Sequence, residues 1–117
     1  MIEKIEWQGE TLALVLREAF DKEGVNFITT EDNPIQLGIL KHPQGVKIKP
    51  HIHRTSGKVI NSVQEVLHLE YGKVAVQFYD DKRENIRSVI LNPGDTILLI
   101  SGGHGFDILE DSKIIEV

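Results

Sequence analysis

The feature that most limits the fold of this chain is a series of short apolar runs, broken by turn residues roughly every ten positions. Regularly spaced short strands with turn signals between them are typical of all-β sandwiches and barrels. The runs cover 35–40, 46–48, 65–71, 74–79, 86–91, 96–100, 104–109 and 113–117. No linker, repeat or low-complexity stretch interrupts them. The sequence therefore predicts one all-β domain over residues 1–117.

Turn residues set the expected limits of these strands. Pro43-Gln44-Gly45 and Asn92-Pro93-Gly94-Asp95 are strong turns, because proline presets φ at the second position and glycine accepts a positive φ. Gly72-Lys73 is expected to separate the strand 65–71 from the strand 74–79. Within the second of these, apolar residues at every other position predict a half-buried strand.

The N-terminal third allows two interpretations. Leu12, Leu16, Ala19 and Phe20 share one face if 12–20 is a helix, with Gly24 as its stop. The apolar run 12–16 is also short enough to be a buried strand, and periodicity alone does not separate the two. A short N-terminal helix and an extra strand therefore both stay open.

Composition excludes several classes of function. The chain has no cysteine, so disulfides, thiolate metal sites and cysteine nucleophiles are ruled out. Its formal charge of −5 disfavours a nucleic-acid partner, which needs a basic surface. No apolar run approaches the roughly 20 residues of a membrane span, and the first residues lack a signal-peptide core. The default expectation is a soluble cytoplasmic protein with no membrane partner.

Two histidines, His51 and His53, are separated by one residue directly after Pro50. On an extended strand, residues i and i+2 project from the same face, so both imidazoles can reach one point. Imidazole nitrogens are common metal ligands at neutral pH. Strict alternation would also point Lys47 and Lys49 to that face, so a bulge near Pro50 is expected to reset the phase. The simpler alternative is that these residues form the polar end of an edge strand, which the proline marks, with no role in binding.

Two further residues are candidates for the same chemistry. Glu65 begins an alternating row, Glu65, Leu67, Leu69 and Tyr71, whose other members are apolar and expected to face inward. A buried carboxylate must be paired or bind a cation, whereas a carboxylate at the rim stays solvated. His104 has glycines on both sides, which suggests an unusual backbone or a close neighbour there, although a flexible loop fits equally.

The order of these residues resembles the cupin superfamily. Gly45, five residues later His51-Ile52-His53, and then Glu65 followed after six residues by Gly72 match its first motif, over residues 45–72. Pro93-Gly94-Asp95 leading to Gly102-Gly103-His104 is similar to its second motif, over 93–106. The spacer between His53 and Glu65 holds eleven residues, against the family's usual three or four, which puts Glu65 in question as a ligand.

The resemblance implies a cupin jelly-roll β-barrel that binds one divalent transition metal (Fe, Mn, Ni, Co or Zn) through His51, His53, Glu65 and His104. It also implies a homodimer, and a further strand after Val117 in similar small bacterial cupins, some of which are linked to sugar metabolism. Leu67 and Phe106, each two residues from a ligand, are expected to line the pocket. Arg54 and Lys58 are candidates for meeting an anionic substrate, although a solvated loop is the simpler interpretation of both.

This similarity favours a metal-dependent enzyme acting on a small molecule, an oxygenase or an isomerase with a sugar or small oxyacid as substrate. A second hypothesis is a metal-independent isomerase, similar to cupin-like sugar-nucleotide ketoisomerases, with histidines as acid and base. A third is a non-catalytic protein that senses a small ligand. The sequence does not choose among the five metals or name the substrate.

Overall fold

The structure is a computed structural model that describes residues 1–54, 57 and 59–117. Every regular element among these residues is a β-strand, so the all-β prediction is confirmed. The eight strands are β1 (Ile2–Trp7), β2 (Glu10–Leu16), β3 (Gly24–Phe27), β4 (Gly38–Lys41), β5 (Glu65–Tyr79), β6 (Asn85–Leu91), β7 (Thr96–Leu99) and β8 (Gly103–Glu116). No helix of the described chain is long and apolar enough to cross a membrane.

Six strands form one antiparallel sheet in the order β1-β2-β7-β5-β6, with β8 on β5. The sheet curls into a half-barrel. Its largest fully buried side chains are Phe78, Ile5, Leu69, Ile97, Leu98, Val15, Val74 and Val76; all but Leu98 belong to one core cluster. Burial of such apolar side chains contributes roughly 1.5–3 kcal/mol each, which makes the curled sheet the stable unit of the chain.

The N-terminal ambiguity is resolved in favour of a strand. Residues 10–16 form β2, which pairs with β1 on one side and β7 on the other. A strand with neighbours on both sides and apolar groups on both faces reads as a continuous apolar run. Leu12, Ala13, Val15 and Leu16 are all buried there. The helical alternative over 12–20 is therefore wrong for this fold.

Gly72 is not a turn between two strands, as the sequence predicted, but a bend inside one. β5 runs unbroken for 15 residues, and β8 follows it for 14, joining the predicted strands 104–109 and 113–117. The β5–β8 register shifts repeatedly between Leu69 and Val74. Such bulges sharpen the local twist. Tyr71 lies in this bend and is exposed, so the predicted inward row ends at Leu69.

The two halves of β5 therefore pair with different strands of the sheet. Residues 65–68 pair with β7, whereas residues 74–79 pair with β6. In the second half Val74, Val76 and Phe78 are buried, as their alternation predicted. Because β5 bends between these halves, its beginning and its end take part in two sides of the curled sheet.

A charged clamp lies at the turn before β7. Arg17, just after β2, donates from Nη1 to the Ile90 carbonyl oxygen at 2.7 Å and to Asp95 Oδ2 at 2.8 Å. It also donates to Glu3 in β1 through Nη2, at 2.6 Å. The backbone N–H groups of Glu18 and Asn92 donate to the Asp95 carboxylate as well. One guanidinium thus joins β1, β6 and the 92–95 turn.

The Asp95 carboxylate makes the stability of the fold sensitive to acid. Burial by itself raises the pKa of Asp95, but the backbone donors of Asn92 and Glu18 and the Arg17 guanidinium together hold that pKa below its ordinary value of 3.8. Because the folded pKa lies below the unfolded one, the stabilisation is full above pH 3.8 and is lost as the pH falls through the folded value. Denaturation at stepped pH should show the free energy of unfolding falling across that acidic range, with a smaller fall for Asp95→Asn.

Two parts of the chain lie outside the main sheet. β3 and β4 form a small antiparallel sheet of their own, with Gly24 opposite Lys41 and Phe27 opposite Gly38. The predicted strand 35–40 is thus shorter and shifted, at Gly38–Lys41. Residues 46–48, also predicted as a strand, form none.

Candidate functional site

Two of the predicted site residues, Glu65 and His104, meet at one end of the half-barrel. Glu65 opens β5 opposite Leu99, whereas His104 lies near the start of β8 opposite Phe78. Their strand positions are at opposite ends of β5, but the curl of the sheet brings Glu65 Oε2 within 3.3 Å of His104 Nε2. Both side chains are about one-third exposed, at 35% and 29%. The pair is therefore accessible to a ligand and partly shielded from water.

A small cleft opens beside this pair. Its volume is about 210 Å³, room for roughly seven water molecules. It is lined by Val63, Glu65, Leu99, Ile100, Ser101, Gly102 and His104. The Ser101 hydroxyl donates to the carbonyl oxygen of Thr11, which ties one wall to the start of β2. A cleft of this size suits a small molecule and is below the usual 300–1,000 Å³ of drug-sized pockets.

Neither of the two predicted pocket residues, Leu67 and Phe106, lines that cleft. Leu67 is buried in the core of the sheet. Phe106 is partly exposed, and its ring lies 5.6 Å from the His104 ring in a tilted arrangement. Phe106 thus packs beside His104, whereas Leu67 belongs to the core.

His51 and His53 form a second pair, in a segment that is not part of any strand. Both are exposed, and their Nε2 atoms are 3.1 Å apart. His51 Nδ1 lies 3.0 Å from the carbonyl oxygen of Lys49. A carbonyl only accepts, so a neutral His51 carries its proton on Nδ1 and presents a lone pair at Nε2. That tautomer is the one a metal needs, and a backbone carbonyl on the other nitrogen is a common support for it.

The donor spacing within each pair suits two ligands of one metal ion, and it equally suits the direct hydrogen bond or ion pair that the structure shows. Ligands with bonds of about 2.0–2.1 Å to one ion lie about 3.0 Å apart at right angles and about 3.4 Å apart at tetrahedral angles. The separations of 3.1 Å between His51 and His53 and of 3.3 Å between Glu65 and His104 fall in this interval. Nitrogen and carboxylate donors are also the set preferred by divalent transition metals.

The structure does not bring the two pairs together. Among the residues described, no group of three or more histidine, aspartate or glutamate side chains is placed to hold one ion. The predicted strand geometry of His51-Ile52-His53 is absent, since the described part of 42–64 (42–54, 57 and 59–64) contains no strand. The long spacer before Glu65 lies in this same segment. Of the two candidates for an anionic substrate, Arg54 is exposed and Lys58 falls outside the described residues.

Sequence reasoning missed an amide pair that anchors the chain next to Glu65. Asn33 Nδ2 donates to Gln64 Oε1 at 2.9 Å, and Gln64 Nε2 donates back to Asn33 Oδ1 at 3.1 Å. Asn33 also donates to the carbonyl oxygen of Ile35 at 2.6 Å. The reciprocal pair fixes the end of the segment 42–64 against the β3–β4 connection, directly before the carboxylate. No local pattern marks two amides 31 positions apart.

A further histidine of β5, His68, is half-buried. Its Nδ1 lies 2.8 Å from Thr96 Oγ1 on the neighbouring strand β7. The cross-strand contact accounts for this histidine without a functional role.

Comparison of the chain with protein-family models, curated proteins and solved structures finds no significant match.

Proposed function

We propose that this chain binds one divalent transition metal through His51, His53, Glu65 and His104, in a cupin-like jelly-roll barrel. The observation that carries the proposal is the spacing of the donor atoms, 3.1 Å in one pair and 3.3 Å in the other. Each separation suits two adjacent ligands of one ion. The tautomer of His51, oriented by the Lys49 carbonyl, supports the same assignment.

The bound metal would serve a reaction on a small molecule in the adjacent cleft. A divalent ion there would act as a Lewis acid on a carbonyl or hydroxyl group, and iron would add oxygen chemistry. Four protein ligands on an ion that accepts six leave positions for water and substrate. The cleft is small and is lined by polar side chains such as Glu65, Ser101 and His104 as well as apolar ones, which favours a sugar or a small oxyacid. We therefore propose that the protein is an isomerase or an oxygenase. We also predict that it forms a homodimer and is located in the cytoplasm.

The proposal is tested by metal binding to the purified protein. Titration of metal-free protein with Zn²⁺, Mn²⁺, Co²⁺, Ni²⁺ and Fe²⁺ in calorimetry should reveal one site per chain for at least one ion. Glu65→Gln and His104→Gln each remove a ligand and should weaken that binding at least tenfold. His42→Gln, in the exposed turn region before Gly45, is the matched control and should leave it unchanged.

A metal content below about 0.1 equivalent per chain, with no gain on reconstitution with any of the five ions, would rule the proposal out. Elemental analysis of protein purified without a nickel column also chooses among the metals. Iron would favour the oxygenase, whereas zinc or manganese would favour Lewis-acid chemistry.

The metal-free isomerase is supported by one specific observation, the direct contact between His51 Nε2 and His53 Nε2 at 3.1 Å. In a hydrogen bond between two imidazoles one ring donates and the other accepts, as an acid and a base must. Glu65→Gln separates the two functions, because it removes a metal ligand and spares a reaction carried by His51 and His53. Ligand-induced thermal shifts without turnover would instead favour the sensor.

A further inference from the structure

The connection between β3 and β4, residues 28–37, is held in one shape by its own side chains. Gln36 Nε2 donates to the carbonyl oxygens of Thr30 and Asn33, at 2.9 Å each. The Thr29 hydroxyl donates to Gln36 Oε1 at 3.1 Å. Hydrogen bonds linked in this way stiffen a segment that has no strand ladder of its own. The connection therefore presents the Asn33 side chain from a fixed position.

Asn33 uses that side chain to hold Gln64, the residue before β5. The two amides donate to each other, at 2.9 Å in one direction and 3.1 Å in the other. Both residues are half-buried, so water competes less for these hydrogen bonds than at an exposed site. Two parallel bonds fix the rotation of the Gln64 amide as well as its position.

Gln64 lies between two residues of the candidate cleft. Val63 and Glu65 line that cleft, whereas Gln64 does not. Successive side chains of an extended chain point to opposite sides, so holding Gln64 on the far side keeps its two neighbours turned toward the cleft. A shift of one residue would exchange the two sides and turn Glu65 away from His104.

The start of β5 has few other constraints. Glu65 is the first residue of the strand, and the described chain just before it, residues 59–64, forms no strand. Strand ends open more readily than strand centres. The eleven-residue spacer after His53 ends at Gln64. The amide pair thus fixes the end of a spacer that is too long to place Glu65 by its length alone.

We infer that Asn33 is a positioning residue for Glu65. Its amide pair with Gln64 holds the Glu65 carboxylate toward His104, 3.3 Å away, and so strengthens metal binding there. Groups that orient metal ligands without touching the ion commonly change metal affinity by about 10- to 100-fold. The effect on metal affinity rests on the proposed metal site, whereas the anchoring of Glu65 does not.

Two single variants remove the amide pair from opposite sides. Asn33→Ala also removes the bond from Asn33 to the Ile35 carbonyl oxygen, whereas Gln64→Ala leaves the connection 28–37 intact. Each should weaken Zn²⁺ binding in calorimetry by about tenfold. Asn61→Ala is the matched control, because Asn61 is an exposed amide three residues before Gln64, and it should leave zinc affinity unchanged.

Hydrogen exchange of one backbone amide tests the anchor without metal. The Val66 N–H donates to the Val117 carbonyl oxygen at 3.1 Å, one residue after Glu65. In metal-free protein its exchange should become about tenfold faster in Asn33→Ala and Gln64→Ala, because the strand end opens more often. Asn33→Gln combined with Gln64→Asn rebuilds two facing amides of the same total length. This exchanged pair should recover both Val66 protection and zinc affinity.

The outcomes separate the anchor from the metal site. Unchanged Val66 exchange and zinc affinity in both single variants would overturn the role of Asn33, while zinc binding by the wild type would leave the metal site standing. Faster Val66 exchange in a protein that never binds zinc would uphold the anchoring of Glu65 and overturn the metal site. A lower Tm with normal Val66 exchange and zinc affinity would show that the pair only stabilises the fold, and would refute positioning.

Discussion

Replacing Asp95 by asparagine is expected to lower the free energy of unfolding by about 3 kcal/mol, one of the largest losses from a single polar substitution in this chain. Asp95 is only 3% exposed, and its two oxygens accept from Arg17 and from two backbone N–H groups. Asparagine turns one oxygen into an NH₂ group that faces a donor. The substitution therefore leaves at least one buried donor unpaired and strips the Arg17 guanidinium of its buried counter-charge.

Urea denaturation of the wild type and Asp95→Asn at neutral pH measures this loss, which corresponds to a fall of about 12 °C in Tm. Asp81→Asn is the matched control, because Asp81 lies exposed at the tip between β5 and β6. It should change the free energy of unfolding by less than about 0.5 kcal/mol. Equal values for the two variants would show that the Arg17–Asp95 clamp contributes nothing to stability.

Arg17→Met gives a second view of the same clamp. It removes the guanidinium but leaves Asp95 with the backbone donors of Glu18 and Asn92. The expected loss is smaller than that of Asp95→Asn, because two of the three donors to the carboxylate remain. A double-mutant cycle between the two positions then gives the coupling energy of the buried pair.

The sequence predicts the parts of this fold that local chemistry controls. Val74, Val76 and Phe78 face the core because alternation places them there, and the turn 92–95 forms because its proline and glycine favour it. The clamp at that turn was not predictable in the same way. Arg17 and Asp95 are 78 positions apart, and no pattern in either neighbourhood names the other.

The candidate site divides along the same line. Glu65 and His104 were both predicted, and the structure brings them to 3.3 Å because the sheet curls. His51 and His53 can lie on a strand only if that strand has a hydrogen-bonded partner. The alternation of residues within 46–53 does not identify such a partner. A strand is defined by its hydrogen-bonded neighbour, so a strand-like sequence remains outside the sheet until an edge is available to it.

Replacing Gly72 by alanine is expected to destabilise the fold by about 3 kcal/mol, because it combines an unfavourable φ with a steric clash. Gly72 has a φ of +99°, which L side chains rarely adopt. A Cβ there would overlap Ser112 Oγ and the Asp111 carbonyl oxygen and would lie 2.6 Å from Ser112 Cα. Ser112→Gly should not rescue the variant, since backbone atoms of β8 remain in the way.

Gly24→Ala measures the cost of a side chain at positive φ without a steric clash. Gly24 has a similar φ of +90°, but no atom lies within 4 Å of its Cβ position, so only the conformational cost of about 1 kcal/mol should apply. Thermal and urea denaturation of the two variants measure the difference.

Equal losses of stability would mean that the backbone of β8 shifts at Ser112 to make room for the added methyl group. In that case the bend in β5 would not be fixed by this contact, and the approach of Glu65 to His104 would need another cause. A larger loss at Gly72, accompanied by weaker metal binding, would identify the bend as the element that positions Glu65 and His104.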